Sequence, residues 1–188
     1  MSPPRLAPGA TAFLDRDGTI NESPPEGEYV TSAEGLRLLD GAAEAIRLLN
    51  RHPARVVVVT NQRGIALGKM SEADLERVND RLTRELGRSG ARLDAILHCP
   101  HHEGTCECRK PGTGMFERAA REVEGVELAG AAMIGDTARD VEAGNRLDLT
   151  TVRIGSAAAG EPAADHEAAD LLAGVRWLTG HASDIDPP

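Results

Sequence analysis

The sequence predicts an α/β domain, a Rossmann-like and mostly parallel sheet with helices on both faces. Arg55-Val56-Val57-Val58-Val59-Thr60 is a β-branched run without polar alternation, as expected of a strand covered on both sides. Around it, short apolar runs alternate with stretches of helical period, an order that implies right-handed crossovers between parallel strands. The 188 residues, 40% hydrophobic and 27% charged, suffice for one core and not for a second large domain. A single domain over 1–188 is expected, with frayed ends at about 1–9 and 183–188.

Taken in order, Ala10–Leu14 is a short buried strand closed by Asp15-Arg16-Asp17-Gly18-Thr19, and Ser23-Pro24-Pro25-Glu26-Gly27 is a loop. Ala42, Ala45, Ile46 and Leu49 recur at helical spacing behind Asp40 as N-cap. After the valine run, Ser71 and Asp74 form a capping-box start for a helix carrying Leu75, Val78, Leu82 and Leu86 up to Gly87 and Gly90. A strand over Leu93–Leu97 and a helix through Met115, Ala119 and Val123 follow. Ala131–Ile134 is a strand, Asp140–Asn145 a short helix, Thr150–Ile154 a strand, and Ala169–Leu172 one more.

Composition excludes several functions. The formal charge is −9, the sequence pI is about 5.2 and aromatics make up 2%, so neither a cationic face for a nucleic-acid backbone nor residues for base stacking are provided. The prolines near the start break any secretory apolar run, and no stretch of about 18 apolar residues occurs, so a cytoplasmic protein without membrane partners is expected, by default a monomer. A phosphate here needs a local cation, since the global field repels it.

Ligands of such sheets bind beyond the carboxyl ends of the strands. After the first strand, Asp15 and Asp17 are spaced to leave an extended chain on one face. As a bare pair they would make an ordinary turn, but a buried strand precedes them and Gly18-Thr19 follows. The chemistry they suit is phosphoryl transfer, one carboxylate attacking phosphorus and the other giving and taking a proton. Two anions facing a phosphate require a cation, for which Mg²⁺ with oxygen ligands is the natural choice. Thr60 and Asn61 after the valine run offer hydroxyl and amide donors, Lys110 offers a positive charge, and Gly135-Asp136 with Asp140 brings further carboxylates at a helix start. Each alone is an ordinary cap or solvated loop residue; all four groups fall behind predicted strands.

In order, Asp15-x-Asp17-Gly18-Thr19, Thr60-Asn61, Lys110 and Gly135-Asp136-x3-Asp140 resemble the four motifs of the haloacid dehalogenase superfamily of phosphatases over about residues 10–155. The resemblance implies Asp15 as nucleophile, Asp17 as general acid/base, and Thr60 and Lys110 as stabilisers of the transferred group. It also implies Mg²⁺ on Asp15, the Asp17 carbonyl and Asp136, with Asp140 nearby. The intervals between motifs are used up by the elements already assigned, leaving no room for a cap domain. Selectivity then falls to the Ser23–Tyr29, Gln62–Lys69 and cysteine-rich loops.

All three cysteines lie in Cys99-Pro100-His101-His102-Glu103-Gly104-Thr105-Cys106-Glu107-Cys108. Three thiols and an imidazole make a tetrahedral, closed Zn²⁺ set, and a loop so poor in apolar residues needs the metal to order it. Followed by Arg109-Lys110-Pro111, this loop is similar to that of the D-glycero-D-manno-heptose 1,7-bisphosphate 7-phosphatases and of the histidinol-phosphate phosphatases. Both imply His101, with Cys99, Cys106 and Cys108, as the zinc ligands. Thr60-Asn61-Gln62-x-Gly64-Ile65-Ala66-x-Gly68 resembles the heptose group more closely, whereas Ser23-Pro24-Pro25 resembles the histidinol group.

The heptose resemblance implies release of the 7-phosphate through an aspartyl-phosphate, in nucleotide-activated heptose biosynthesis. Asn61, Gln62, Arg63, Arg109 and Tyr29 are the expected contacts of a phosphorylated sugar. A histidinol-phosphate phosphatase and, in another class, a non-catalytic zinc-stabilised phosphate-binding module are the alternatives. Asp17 speaks against the module, because binding alone has no use for a second carboxylate beside phosphate.

Overall fold

In the computed structural model, which describes residues 5–181, six strands form one sheet whose pairings are all parallel. They are β1 (Thr11–Leu14), β2 (Arg55–Asn61), β3 (Ala95–Cys99), β4 (Ala132–Gly135), β5 (Thr150–Ile154) and β6 (His166–Ala168), in the spatial order β3-β2-β1-β4-β5-β6. The helices are α1 (Ala42–Arg51), α2 (Glu72–Arg88), α3 (Gly114–Glu122), α4 (Ala138–Arg146) and α5 (Leu171–Thr179).

The valine run explains the two-faced core. Val56 and Val58 point to one side, where they join Ala45, Ile46 and Leu49 of α1, Val78 and Leu82 of α2, and Val175 and Leu178 of α5. Val57 and Val59 point to the other, against Met115, Phe116 and Ala119 of α3 and Ala143 of α4. A strand with apolar partners on both faces gains nothing from polar alternation. Phe13 and Phe116 meet edge to face across the second layer at 4.9 Å between centroids.

Strand order reverses between β1 and β4, so the loops leaving these neighbours diverge and open a crevice at the carboxyl edge of the sheet. The segment from Thr19 to β2 holds a loop, a short 3-10 turn (Ala33–Gly35) and α1; that from Gln62 to Arg109 holds α2, β3 and the cysteine loop. Neither interval contains a cap domain.

Several boundaries differ from the sequence reading. Asp40 does not cap α1: Gly41 takes the N-cap position at φ 77°, a left-handed conformation that glycine adopts without a Cβ penalty, and no side chain caps this end. The third strand lies two residues later than Leu93–Leu97, because its register is set by Asn61 opposite Cys99. Ala169–Leu172 is not a strand. The strand ends at Ala168, and Asp170 accepts from the Ala173 N–H to start α5, whose apolar residues fold back onto the first layer. At the start of the chain Leu6 is fully buried and its N–H donates to Leu178 O, so the expected fraying does not reach it; residues 1–4 and 183–188 lie outside the described residues.

Candidate active site

Four strand ends deliver the site. Asp15 follows β1, Thr60 lies at the end of β2, Asp136 follows β4, and Lys110 arrives on the loop after β3. Asp15, Asp17, Thr60, Asn61, Lys110 and Asp136 line one cleft of about 360 Å³.

Lys110 is its electrostatic centre. The side chain is 2% exposed, and its ammonium donates to Val59 O at 2.7 Å and contacts Asp15 Oδ1 at 2.9 Å and Asp140 Oδ1 at 2.6 Å. Burial on its own would lower the lysine pKa, but Asp140 and Asp15 outweigh it and the net shift is upward. One ammonium does not neutralise three carboxylates. Burial, with Asp140 alongside, pushes Asp15 up to about 7, and burial and Asp140 push Asp136 up to about 6. The oxygens of Asp15, Asp136 and Asp140 lie within 4.8 Å of one another, a donor set that suits a hard divalent cation. Asp140 is already engaged, since its Oδ2 accepts from the Thr137 N–H and hydroxyl at the start of α4, which leaves Asp15 and Asp136 for a metal. Gly18, at φ 83°, lets the turn pass Asp136: a Cβ there would overlap the Asp136 carboxylate.

Asp17 is held more tightly than the sequence suggested. Arg16, completely buried, grips its carboxylate through Nε and NH2 at 3.0–3.2 Å, and Asn21 Nδ2 and Gln62 Nε2 each donate to it at 2.8 Å. Gln62 also donates to Thr60 Oγ1 at 3.0 Å, leaving the threonine O–H to point elsewhere. Gln62 thus lies under the acidic residues and off the cleft wall, and Arg63 does not line the cleft either. Tyr29 does, its ring packed on Gly64, where a Cβ would stand 2.8 Å from Cγ. Lys69 ties down the same loop by donating to Gly27 O at 2.6 Å.

Arg109 lines the cleft with Nε and NH1 buried and without protein partners. Glu26 and Glu28 line it too, on the Ser23–Tyr29 loop to which selectivity was expected to fall, and so does Arg139, which sequence reasoning missed. Its place on an exposed helix start carried no signal. Arg16 was also missed, although a cation between two acids in Asp15-Arg16-Asp17 was a visible hint.

Beside the cleft, Cys99, His101, Cys106 and Cys108 converge. The three sulfurs are 3.3–3.5 Å apart, and His101 Nδ1 lies 3.2 Å from Cys108 Sγ and 3.6 Å from Cys99 Sγ. These separations are too long for a disulfide of about 2.05 Å. They come near the edges of about 3.8 Å that Zn–S bonds of about 2.3 Å give a tetrahedron, so the donor set fits zinc. Burial raises Cys99, and burial with the neighbouring thiols pushes Cys108 up to about 12, whereas hydrogen bonds from Cys108 and Arg109 overcome burial and bring Cys106 to about 7.

A family model described as HAD-hydrolase-like matches residues 107–176. The D-glycero-beta-D-manno-heptose-1,7-bisphosphate 7-phosphatase of Rhodopseudomonas palustris is 42% identical over 150 residues, covering 76% of this chain and 81% of the relative. The chain belongs to the heptose 1,7-bisphosphate 7-phosphatase family of the haloacid dehalogenase superfamily. Within this family, the D-glycero-alpha-D-manno-heptose-1,7-bisphosphate 7-phosphatase of Campylobacter jejuni is 37% identical over 74% of this chain and 78% of its own. The crystal structure of D,D-heptose 1,7-bisphosphate phosphatase from B. bronchiseptica, complexed with magnesium and phosphate, superposes with a TM-score of 0.82 at 32% identity, covering 92% of this chain and 99% of that one. Among the described residues no helix is long and apolar enough to cross a membrane.

Proposed function

We propose that the chain is a Mg²⁺-dependent phosphatase that removes the 7-phosphate of D-glycero-D-manno-heptose 1,7-bisphosphate through an aspartyl-phosphate on Asp15, in nucleotide-activated heptose biosynthesis. The observation that carries the chemistry is the placement of Asp15 and Asp17 on one cleft wall with Lys110 against Asp15. A carboxylate oxygen of Asp15 forms a bond to phosphorus while the bond to the sugar oxygen breaks, and Asp17 gives its proton to that departing oxygen. Asp17 then takes a proton from the water that attacks the acyl phosphate, and free phosphate leaves with Asp15 restored.

Thr60, whose oxygen already accepts from Gln62, has its own O–H available for a phosphoryl oxygen. Lys110 holds Asp15 at a set position and balances its charge. Asp15, Asp136 and the Asp17 carbonyl would hold Mg²⁺, which when bound neutralises phosphoryl charge between the carboxylates. Cys99, His101, Cys106 and Cys108 would hold a closed, structural Zn²⁺ that orders the loop delivering Arg109 and Lys110. Arg109, which lines the cleft and has two guanidinium nitrogens without protein partners, suits the distal phosphate, with Asn61 and Tyr29 as neighbouring walls.

The test is phosphate release from both anomers of heptose 1,7-bisphosphate and from histidinol phosphate, with Mg²⁺ and zinc-loaded protein. A preference of about a hundredfold for a heptose bisphosphate, near 2.7 kcal/mol of transition-state discrimination, is expected. A reversed preference removes the substrate assignment and leaves the chemistry.

A further inference from the structure

Among the described residues, Arg16 is the largest side chain with no exposure at all. A buried guanidinium is costly unless each of its donors is matched. Here two of its three nitrogens donate to the Asp17 carboxylate, and the remaining one, NH1, donates at 3.1 Å to Asn79 Oδ1 on α2, 63 residues further along the chain. Adjacent side chains on an extended backbone point apart. The turn after β1 reverses that: Thr19, Ile20 and Asn21 all donate their N–H to Arg16 O, so Arg16 and Asp17 curl towards one another. The guanidinium plane is then set from below by Asn79, a residue on a rigid 17-residue helix that touches nothing in the cleft. Asn21 and Gln62 grip the same carboxylate from its flanks, and its side chain keeps 20% exposure, open to the cleft.

We infer that Arg16 and Asn79 are positioning residues for the reaction: Asn79 orients the Arg16 guanidinium, which aims the Asp17 carboxyl at the leaving oxygen. The inference rests on the reading of Asp17 as the acid that protonates that oxygen. Neither residue touches substrate; both act through Asp17.

A purely structural role and a positioning role differ in their dependence on the leaving group. 4-Nitrophenolate departs without a proton, whereas the more basic phenolate benefits from one, so misaiming Asp17 slows phenyl phosphate more than 4-nitrophenyl phosphate. We would measure kcat/KM for both esters with the zinc-loaded, Mg²⁺-supplied protein, its Asn79→Ala variant and an Asp17→Asn reference. Alanine favours the helix, which offsets part of the cost of leaving Arg16 NH1 without its acceptor, and a thermal melt beside the kinetics checks that the variant is folded. For Asn79→Ala the ratio of the two kcat/KM values should move about tenfold against phenyl phosphate, part of the roughly hundredfold that a misplacement of about 1 Å costs. Arg16→Lys, which keeps the charge but cannot grip two oxygens and Asn79 together, should move it in the same direction. An equal loss on both esters, or no loss, overturns the positioning role. If Asp17→Asn itself leaves the ratio unchanged, the acid assignment of Asp17 fails and takes this inference with it, a result distinct from the first.

Discussion

Asn61 and Lys110 are joined by a reciprocal pair of hydrogen bonds: Lys110 N–H donates to Asn61 Oδ1 and Asn61 Nδ2 donates to Lys110 O, both at 3.0 Å. The amide at the end of β2 thereby fixes the backbone of a loop residue 49 positions away, and with it the height at which the ammonium meets Asp15 and Asp140. Asn61→Ala leaves both backbone groups without these partners. We expect kcat/KM to fall by about one to two orders of magnitude from misplacement of Lys110, and stability to fall by about 1–3 kcal/mol. Steady-state kinetics beside a thermal melt checks both; wild-type kinetics in the variant would sink the idea that this pair sets the lysine.

Asp15→Asn should abolish any covalent phosphoryl-enzyme, read by mass spectrometry after acid quench with a radiolabelled or trapped substrate. Asp17→Asn should retain substrate binding while kcat drops by about 10²–10⁴-fold, the usual range for a lost general acid/base. Persistence of the phosphoryl adduct in Asp15→Asn would refute the nucleophile assignment.

Zinc removal tests the cysteine loop. The loop between Cys99 and Cys108 has few apolar residues, so a metal would supply its order. Chelation at neutral pH, followed by return of Mg²⁺ alone, should leave activity depressed tenfold or more and lower Tm by roughly 5 °C or more, on a scale of about 2–4 °C per kcal/mol. Cys108→Ser should behave as the chelated protein does. Full activity in a protein shown by elemental analysis to lack zinc would rule the role out.

Mg²⁺ and pH should be linked through Asp15 and Asp136. In the metal-free protein these carboxyls sit at about 7 and about 6, above the ordinary 3.8. A carboxyl raised on folding binds its proton more tightly in the folded state, so its contribution is most favourable below pH 4 and is lost as pH climbs towards 7. Mg²⁺, which binds the ionised forms, should therefore raise Tm more at pH 8 than at pH 5. At about a hundredfold its Kd it contributes about 2.7 kcal/mol, roughly 5–10 °C. Melts at the two pH values with Mg²⁺ omitted, not chelated, keep zinc in place; an equal Mg²⁺ effect at both would contradict the linkage.

Much was legible in the sequence because it is written in local terms. The valine run marked β2, the Ser71 and Asp74 capping box marked α2, and the family motifs placed acids, threonine and lysine behind strands. The close spacing of Cys99, His101, Cys106 and Cys108 required only a tight loop to bring four candidate ligands together. In these cases the residues that decide the outcome are near neighbours or share one strand, so their order along the chain already carries the physics.

The tertiary structure decided whatever depends on who lies opposite. Asp140 reads as an N-cap but is the third residue of α4, closing a capping box on Thr137, and its other oxygen balances Lys110 because β1, β4 and the loop after β3 meet at one edge. Gln62 reads as a substrate contact, but burial turns it inward to hold Asp17 and Thr60. Arg16 reads as a spacer between two acids, and only the arrival of α2 gives its remaining nitrogen an acceptor on Asn79. A buried charge is tolerable only where distant segments supply matched partners, and no local pattern records which distant segment that is.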